Sequence, residues 1–276
     1  MLFCPTLPHA DMFYLRQLAS FNYAVYYGAT GKCDMVFWTE LEGSRGVDEI
    51  VSAIMRSLTA SIVPLLPGQT RTLVMWSDRC VGQTNNWPMI CAMINLVSLG
   101  YFTSIEQKFL VSGHTFLPCD RCFGRVEARK KSCMVYTPDD WIDVILSAQP
   151  NNPFRVLRQF QPDIRGYKDA YQYLQKPVDL NVTKVAWILY EHSQPAQLLT
   201  RETHVPTIWR SHTLHNPNQS GVRYNRRLPF NLQSFNVQPS QKYVAPLVLS
   251  NEKKHDLRET MKFLEPQHQA YYLNHI

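Results

Sequence analysis

LVMWSDRCVGQTNN, residues 73–86, and KFLVSGHTFLPCDRCFGRVEARKK, residues 108–131, decide how the chain is read. Each opens with an apolar run of strand length and ends in polar residues. The first runs out at Asp78. The second passes through His114 to Asp120 and enters a basic helical segment carrying Glu127. Carboxylates at a strand end and a helix start can gather hard oxygen donors around a divalent cation.

Working outward, TRTLVMWSD is apolar almost throughout, so it is expected to be a central strand covered on both faces. Asn85 and Asn86 lead into a helix, PMICAMINLVSLGYF, and IEQKFLVSG is the next strand. Upstream, MFYLRQLASFNYAVYY (12–27) is dense in aromatic and β-branched residues, the turn Ala29-Thr30-Gly31-Lys32 follows, and CDMVFWTE (33–40) is its hairpin partner. Val47, Ile50, Val51, Ile54 and Leu58 fall at helical spacing. Asp48 and Glu49 suit the positive end of that helix.

Downstream, Asp120 is read as the N-cap of DRCFGRVEARKK, with Arg129, Lys130 and Lys131 in its last turn. SCMVYTPDDWIDVILSA predicts a short strand and then a helix beginning at Thr137-Pro138-Asp139-Asp140. Beyond Pro150-Asn151-Asn152-Pro153 come FRVLRQF, a short helix GYKDAYQYLQ, the strand VTKVAWILYE and a polar, β-rich stretch. The end is an amphipathic helix cut at Pro266. The order is that of a mixed α/β protein. There is no internal repeat.

With 276 residues the chain can bury a full core, and 45% hydrophobic against 18% charged residues argues against a disordered protein. A net charge of +6 permits a polyanionic partner without requiring one. Seven cysteines and a start, MLFCPTLPHADMF, with no basic-then-apolar leader point to a reduced intracellular protein. The longest apolar stretch, residues 89–102, is too short to span a bilayer, so no membrane partner is expected.

The candidate site residues each have two readings. Asp78 ligates a metal or holds a turn. Asp120 and Glu127 share one helical face, as metal ligands or as a cap and an ion-pair partner for Lys131. His114, Cys119, Cys122 and Cys133 make a candidate zinc set, although the spacing matches no standard pattern and buried free thiols are the commoner outcome. Basic groups lie at Arg125 with Arg129–Lys131, at Arg223 with Arg226 and Arg227, and at Lys253-Lys254. No phosphate-cradling glycine loop, nucleophile elbow or dinucleotide fingerprint is present.

FYLRQLASFNYAVYYGATGK, WTELEGSRGVDEI, SDRCVGQTNN and GHTFLPCDRCFGRVE together resemble a eukaryotic family of transposon-derived proteins. Their central domain is similar to the RNase H-like fold of DDE transposases and integrases. The resemblance runs in order over residues 1–150 and more loosely to the C-terminal helix. It implies an RNase H-like mixed sheet flanked by helices over 1–149, a smaller β-rich appendage over 150–250 and a helical segment over 251–276. It further implies Mg²⁺- or Mn²⁺-dependent cleavage or transfer of DNA phosphodiesters. Asp78 and Asp120 would hold the metal, Glu127 would rival Asp120 for the third carboxylate, and His114 would position water or a ligand. DNA is the implied partner and the nucleus the implied location. Family members carry an Asp on the first strand, just before the stretch matching LFCPTLP, and this chain begins after that point. It is therefore expected to be an N-terminally truncated member, with a non-catalytic nucleic-acid- or protein-interaction module as the alternative.

Overall fold

The computed structural model describes residues 1–111, 113, 116–171, 174–205, 208–215, 229–235 and 238–275. The protein is a mixed α/β fold with two mixed sheets. It divides into two compact units that interleave along the chain. The first comprises residues 1–45, 117–164 and 241–276, and the second 46–116 and 165–240. No helix among the described residues is long and apolar enough to cross a membrane.

In the first unit the sheet has the order β1 (Leu2–Cys4), β2 (Leu18–Tyr27), β3 (Lys32–Thr39), β6 (Arg155–Arg158). β1, β2 and β3 pair antiparallel and β6 joins β3 in parallel. Four residues connect β2 to β3, and Gly31 takes the left-handed conformation at φ +68° that the turn requires. Alternate residues of β3, Cys33, Met35 and Phe37, face a core completed by α3 (Pro118–Lys130), α4 (Pro138–Ser147), α6 (Asn251–Met261) and α7 (Pro266–Leu273). Val126, Trp141, Ile145, Leu257 and Tyr272 supply the helical side of that core. The opposite face of β3 is also buried at Asp34, Val36 and Trp38. Trp38 donates its indole N–H to the Ser44 carbonyl (2.9 Å), and its ring meets Phe21.

In the second unit the order is β4 (Thr72–Ser77), β5 (Ser104–Phe109), β7 (Trp187–Glu191), β8 (Gln197–Arg201), β9 (Arg210–Thr213). β4 and β5 are parallel, which demands a crossover, and α2 (Trp87–Ser98) provides it. All later pairings are antiparallel. One sheet face, with Ile105, Phe109, Ile188, Tyr190 and Leu198, is buried. Of the helices here, α2 makes its strand contacts with β5, and it also meets α1 (Val47–Thr59) and the short α5 (Tyr167–Ala170). Asp48 and Ser52 of α1 accept hydrogen bonds from the backbone of Lys168 (2.7 Å) and Arg165 (3.0 Å), so the first two turns of α1 clamp the segment that leads into α5.

Several expectations need correction. The strands expected in one sheet divide between two. The region 150–250 is no appendage: β6 completes the first sheet and β7–β9 extend the second, because each finds an open strand edge to pair with. β4 is an edge strand, with Val74 47% and Trp76 46% exposed, and is not covered on both faces. The strand expected from Met12 begins at Leu18. Ahead of it lies a 3-10 turn, Ala10–Phe13, and Arg16 is held by Asp256 through both its backbone N–H (3.1 Å) and its guanidinium (2.9 Å). The short strand before α4 reduces to one bridge, Thr6 with Val135.

Candidate functional site

Asp78 leaves the C-terminal end of β4 in the second unit. Its carbonyl accepts the Thr84 hydroxyl (2.9 Å), and the amides of Gln83, Thr84 and Asn85 all close on the Cys80 carbonyl. The Gln107 side-chain amide on β5 donates to the Thr84 carbonyl (3.1 Å) and fixes this turn against the sheet. Asn86 then caps α2 by accepting the Met89 amide (3.0 Å). The Asp78 carboxylate is exposed and makes no hydrogen bond or ion pair among the described residues.

Asp120 and Glu127 lie on α3 in the first unit, both exposed. Asp120 is not the N-cap. Leu117 is, because Pro118 takes the first helical turn, where its missing N–H costs nothing. The Asp120 carboxylate reaches back to accept the Leu117 amide (2.6 Å). His114 lies outside the described residues. No group of three or more His, Cys, Asp and Glu side chains is placed to hold a metal ion among the described residues.

Among the described residues, Cys119, Cys122 and Cys133 are not grouped to hold a metal ion. Cys33 of β3 neighbours Cys122 and Cys119 of α3, whereas Cys133 lies past the helix beside Ser132. Burial pushes the Cys33 thiol well up, Cys119 to about 11 and Cys4 to about 12. Iodoacetamide at pH 8 should therefore label the half-exposed Cys80 and Cys133 at least about tenfold faster than Cys4, Cys33, Cys91, Cys119 and Cys122. Peptide mass spectrometry after a short exposure reads this. Equal rates at Cys119 and Cys133 would contradict the burial argument.

Unanticipated by sequence reasoning is a row of side chains that crosses the second unit's sheet on its open face. Strand register places Trp76 beside Lys108, Lys108 beside Trp187 and Trp187 beside Arg201. Trp209, just ahead of β9, continues the row. The Lys108 ammonium lies 5.5 Å from the Trp76 ring and 4.1 Å from the Trp187 ring. The Arg201 guanidinium lies 5.1 Å from Trp187 and 4.0 Å from Trp209. Glu106 pairs with Lys108 (2.8 Å), and His204 covers part of Trp76 while donating to the Phe109 carbonyl (2.8 Å). Such alternation of cations and ring faces is attractive by about 0.5–2 kcal/mol per contact. Trp76, 46% exposed, is the open end of the row, while Lys108, Trp187, Arg201 and Trp209 are half-buried across the sheet. No local motif encodes it, because each member comes from a different strand and only register brings them together.

On the covered face of the same sheet, His212 links Asp179 (Nδ1 to Oδ2, 2.7 Å) to Thr200 (Nε2 to Oγ1, 2.8 Å). The order of roles is that of a hydroxyl, a base and an orienting carboxylate. The exposures run the other way: Asp179 has 46% of its side chain open to solvent, while Thr200 is 3% exposed. A nucleophile needs the open end and the orienting acid the buried one. The chain is a structural tie.

The sequence matches the family described as a domain of unknown function (DUF7869) over residues 32–201, well over half of its length. No curated protein and no solved structure matches.

Proposed function

The chain belongs to the DUF7869 family, and from that premise we propose that it is a nucleic-acid-binding module of transposon-derived, RNase H-like ancestry. It holds an extended single strand of DNA against the open face of the second unit's sheet, and its place of work is the nucleus. The row Trp76–Lys108–Trp187–Arg201–Trp209 carries this reading. Bases stack on exposed ring faces regardless of sequence, and interleaved cations meet the phosphates. The net charge of +6 adds a favourable long-range field.

Fluorescence anisotropy with a labelled oligothymidylate of about twelve nucleotides tests it. Trp76→Ala and Arg201→Gln should each weaken binding about fivefold to tenfold, as loss of one stacking or phosphate contact does. Arg201→Gln should also flatten the dependence of log Kd on log salt by about one unit. Wild-type affinity in both variants would remove the sheet face from consideration.

Metal-dependent cleavage is a second reading, favoured by the free carboxylate of Asp78. A Mg²⁺ or Mn²⁺ ion held there would stabilise charge on the phosphodiester. Asp120 already spends one oxygen on the Leu117 amide. Adding Mn²⁺ to the same oligonucleotide separates the two: strand scission lost in Asp78→Asn would favour cleavage.

A further inference from the structure

A cleft of 330 Å³ opens in the first unit where the β2–β3 turn meets α3, lined among others by Tyr26, Gly31, Arg121, Arg125, Gln149 and Asn152. Arg121 and Arg125 stand four residues apart on α3, both exposed, and neither guanidinium has a hydrogen bond or ion pair among the described residues. Like charges at this spacing repel, and an anion between them would reverse the sign of that interaction. The far wall is fixed by its own amides. Gln149 donates to the Asn152 carbonyl (2.6 Å), and Asn152 donates to the Gly31 carbonyl (3.0 Å). That leaves Gln149 Oε1 buried with no partner among the described residues. A buried acceptor without a donor is unfavourable, and a ligand N–H or O–H would satisfy it.

Two unpaired guanidinium forks and one unsatisfied acceptor ask for a ligand with an anionic end and a donor-bearing end. Arginine forks match the oxygens of phosphate better than a point charge does. We propose that this cleft binds the terminal phosphomonoester of a nucleotide, with the phosphate between Arg121 and Arg125 and a sugar or base donor on Gln149 Oε1. The volume falls in the range of small-molecule sites. The site belongs to the first unit and does not rest on the sheet reading.

Isothermal titration of the full chain with adenosine 5′-monophosphate, adenosine and inorganic phosphate tests it. The nucleotide should bind at least about tenfold more tightly than either fragment. Arg121→Ala combined with Arg125→Ala should abolish that advantage while leaving the thermal melt unchanged, since both side chains are exposed. Gln149→Met should lower nucleotide affinity to that of phosphate alone. Preference for a 5′-phosphorylated over a 5′-hydroxyl pentanucleotide would identify a strand end as the source, and its absence beside tight monophosphate binding would identify a free nucleotide. Trp76→Ala should leave these titrations unchanged, so the two proposals fail separately. Equal affinity for adenosine and its monophosphate, or full nucleotide affinity in the double arginine variant, would overturn the proposal.

Discussion

Replacing Arg155 by methionine is expected to destabilise the protein by about 3 kcal/mol, because it strands a buried carboxylate. Asp34, with 3% of its side chain exposed, sits in the middle of the first unit's sheet, directly across from Arg155 in the parallel β3–β6 register. Arg155 donates Nε to Oδ1 (2.8 Å) and Nη2 to Oδ2, and the Tyr27 hydroxyl also donates to Oδ2 (3.2 Å). The hydrogen bond to Asp34 raises the arginine further above its already high pKa. Methionine keeps the apolar stem and removes only the fork. The lower end of the range for broken buried pairs applies, because Arg155 itself is 43% open to solvent. The pair need not be a net gain over an apolar one. Asp34→Ala combined with Arg155→Met should therefore fall within about 1 kcal/mol of the single Asp34→Ala variant, a coupling of about 2 kcal/mol between the two sites. Guanidinium unfolding of the four proteins measures the cycle. A loss below about 0.5 kcal/mol in Arg155→Met would mean the carboxylate finds water or another donor.

What was legible in the sequence follows from the range of the interactions. The α1 periodicity at Ile50, Val51, Ile54 and Leu58 is local, and those side chains are buried. The β2–β3 hairpin rests on a turn of four residues and came out in its expected place. The partition into two sheets was not legible, since β4 and β3 carry the same apolar signature and only their partners differ. The exposed Val74 and Trp76 look like core residues in a list of letters. Asp120 was recognisable as a helix-start carboxylate, but Pro118 moved the start three residues earlier, from Asp120 to Leu117. Arg155 opposite Asp34, Cys33 beside Cys122, and the Trp–cation row all depend on strand or helix register across long loops. Register is set by whole-sheet burial, not by neighbours in sequence.

His212→Leu tests the claim that the Thr200–His212–Asp179 chain is a structural tie and not a catalytic one. A carboxylate can only accept, so Nδ1 carries the proton toward Asp179, and Nε2 meets the Thr200 hydroxyl. Leucine fills most of the ring volume but leaves that hydroxyl, 3% exposed, with no acceptor. The expected loss is about 2–3 kcal/mol, the cost of an orphaned buried hydroxyl together with the lost ring bonds. Thr200→Val in the same background removes the orphan and should recover about 1 kcal/mol. Asp179→Asn should cost well under 1 kcal/mol, because the amide oxygen still accepts from Nδ1 and the position is half open to solvent. A catalytic relay predicts the opposite pattern: small stability effects and a large loss of p-nitrophenyl acetate hydrolysis in all three variants. The inverted exposure decides between them, since the hydroxyl is the buried end of the chain and the carboxylate the open one.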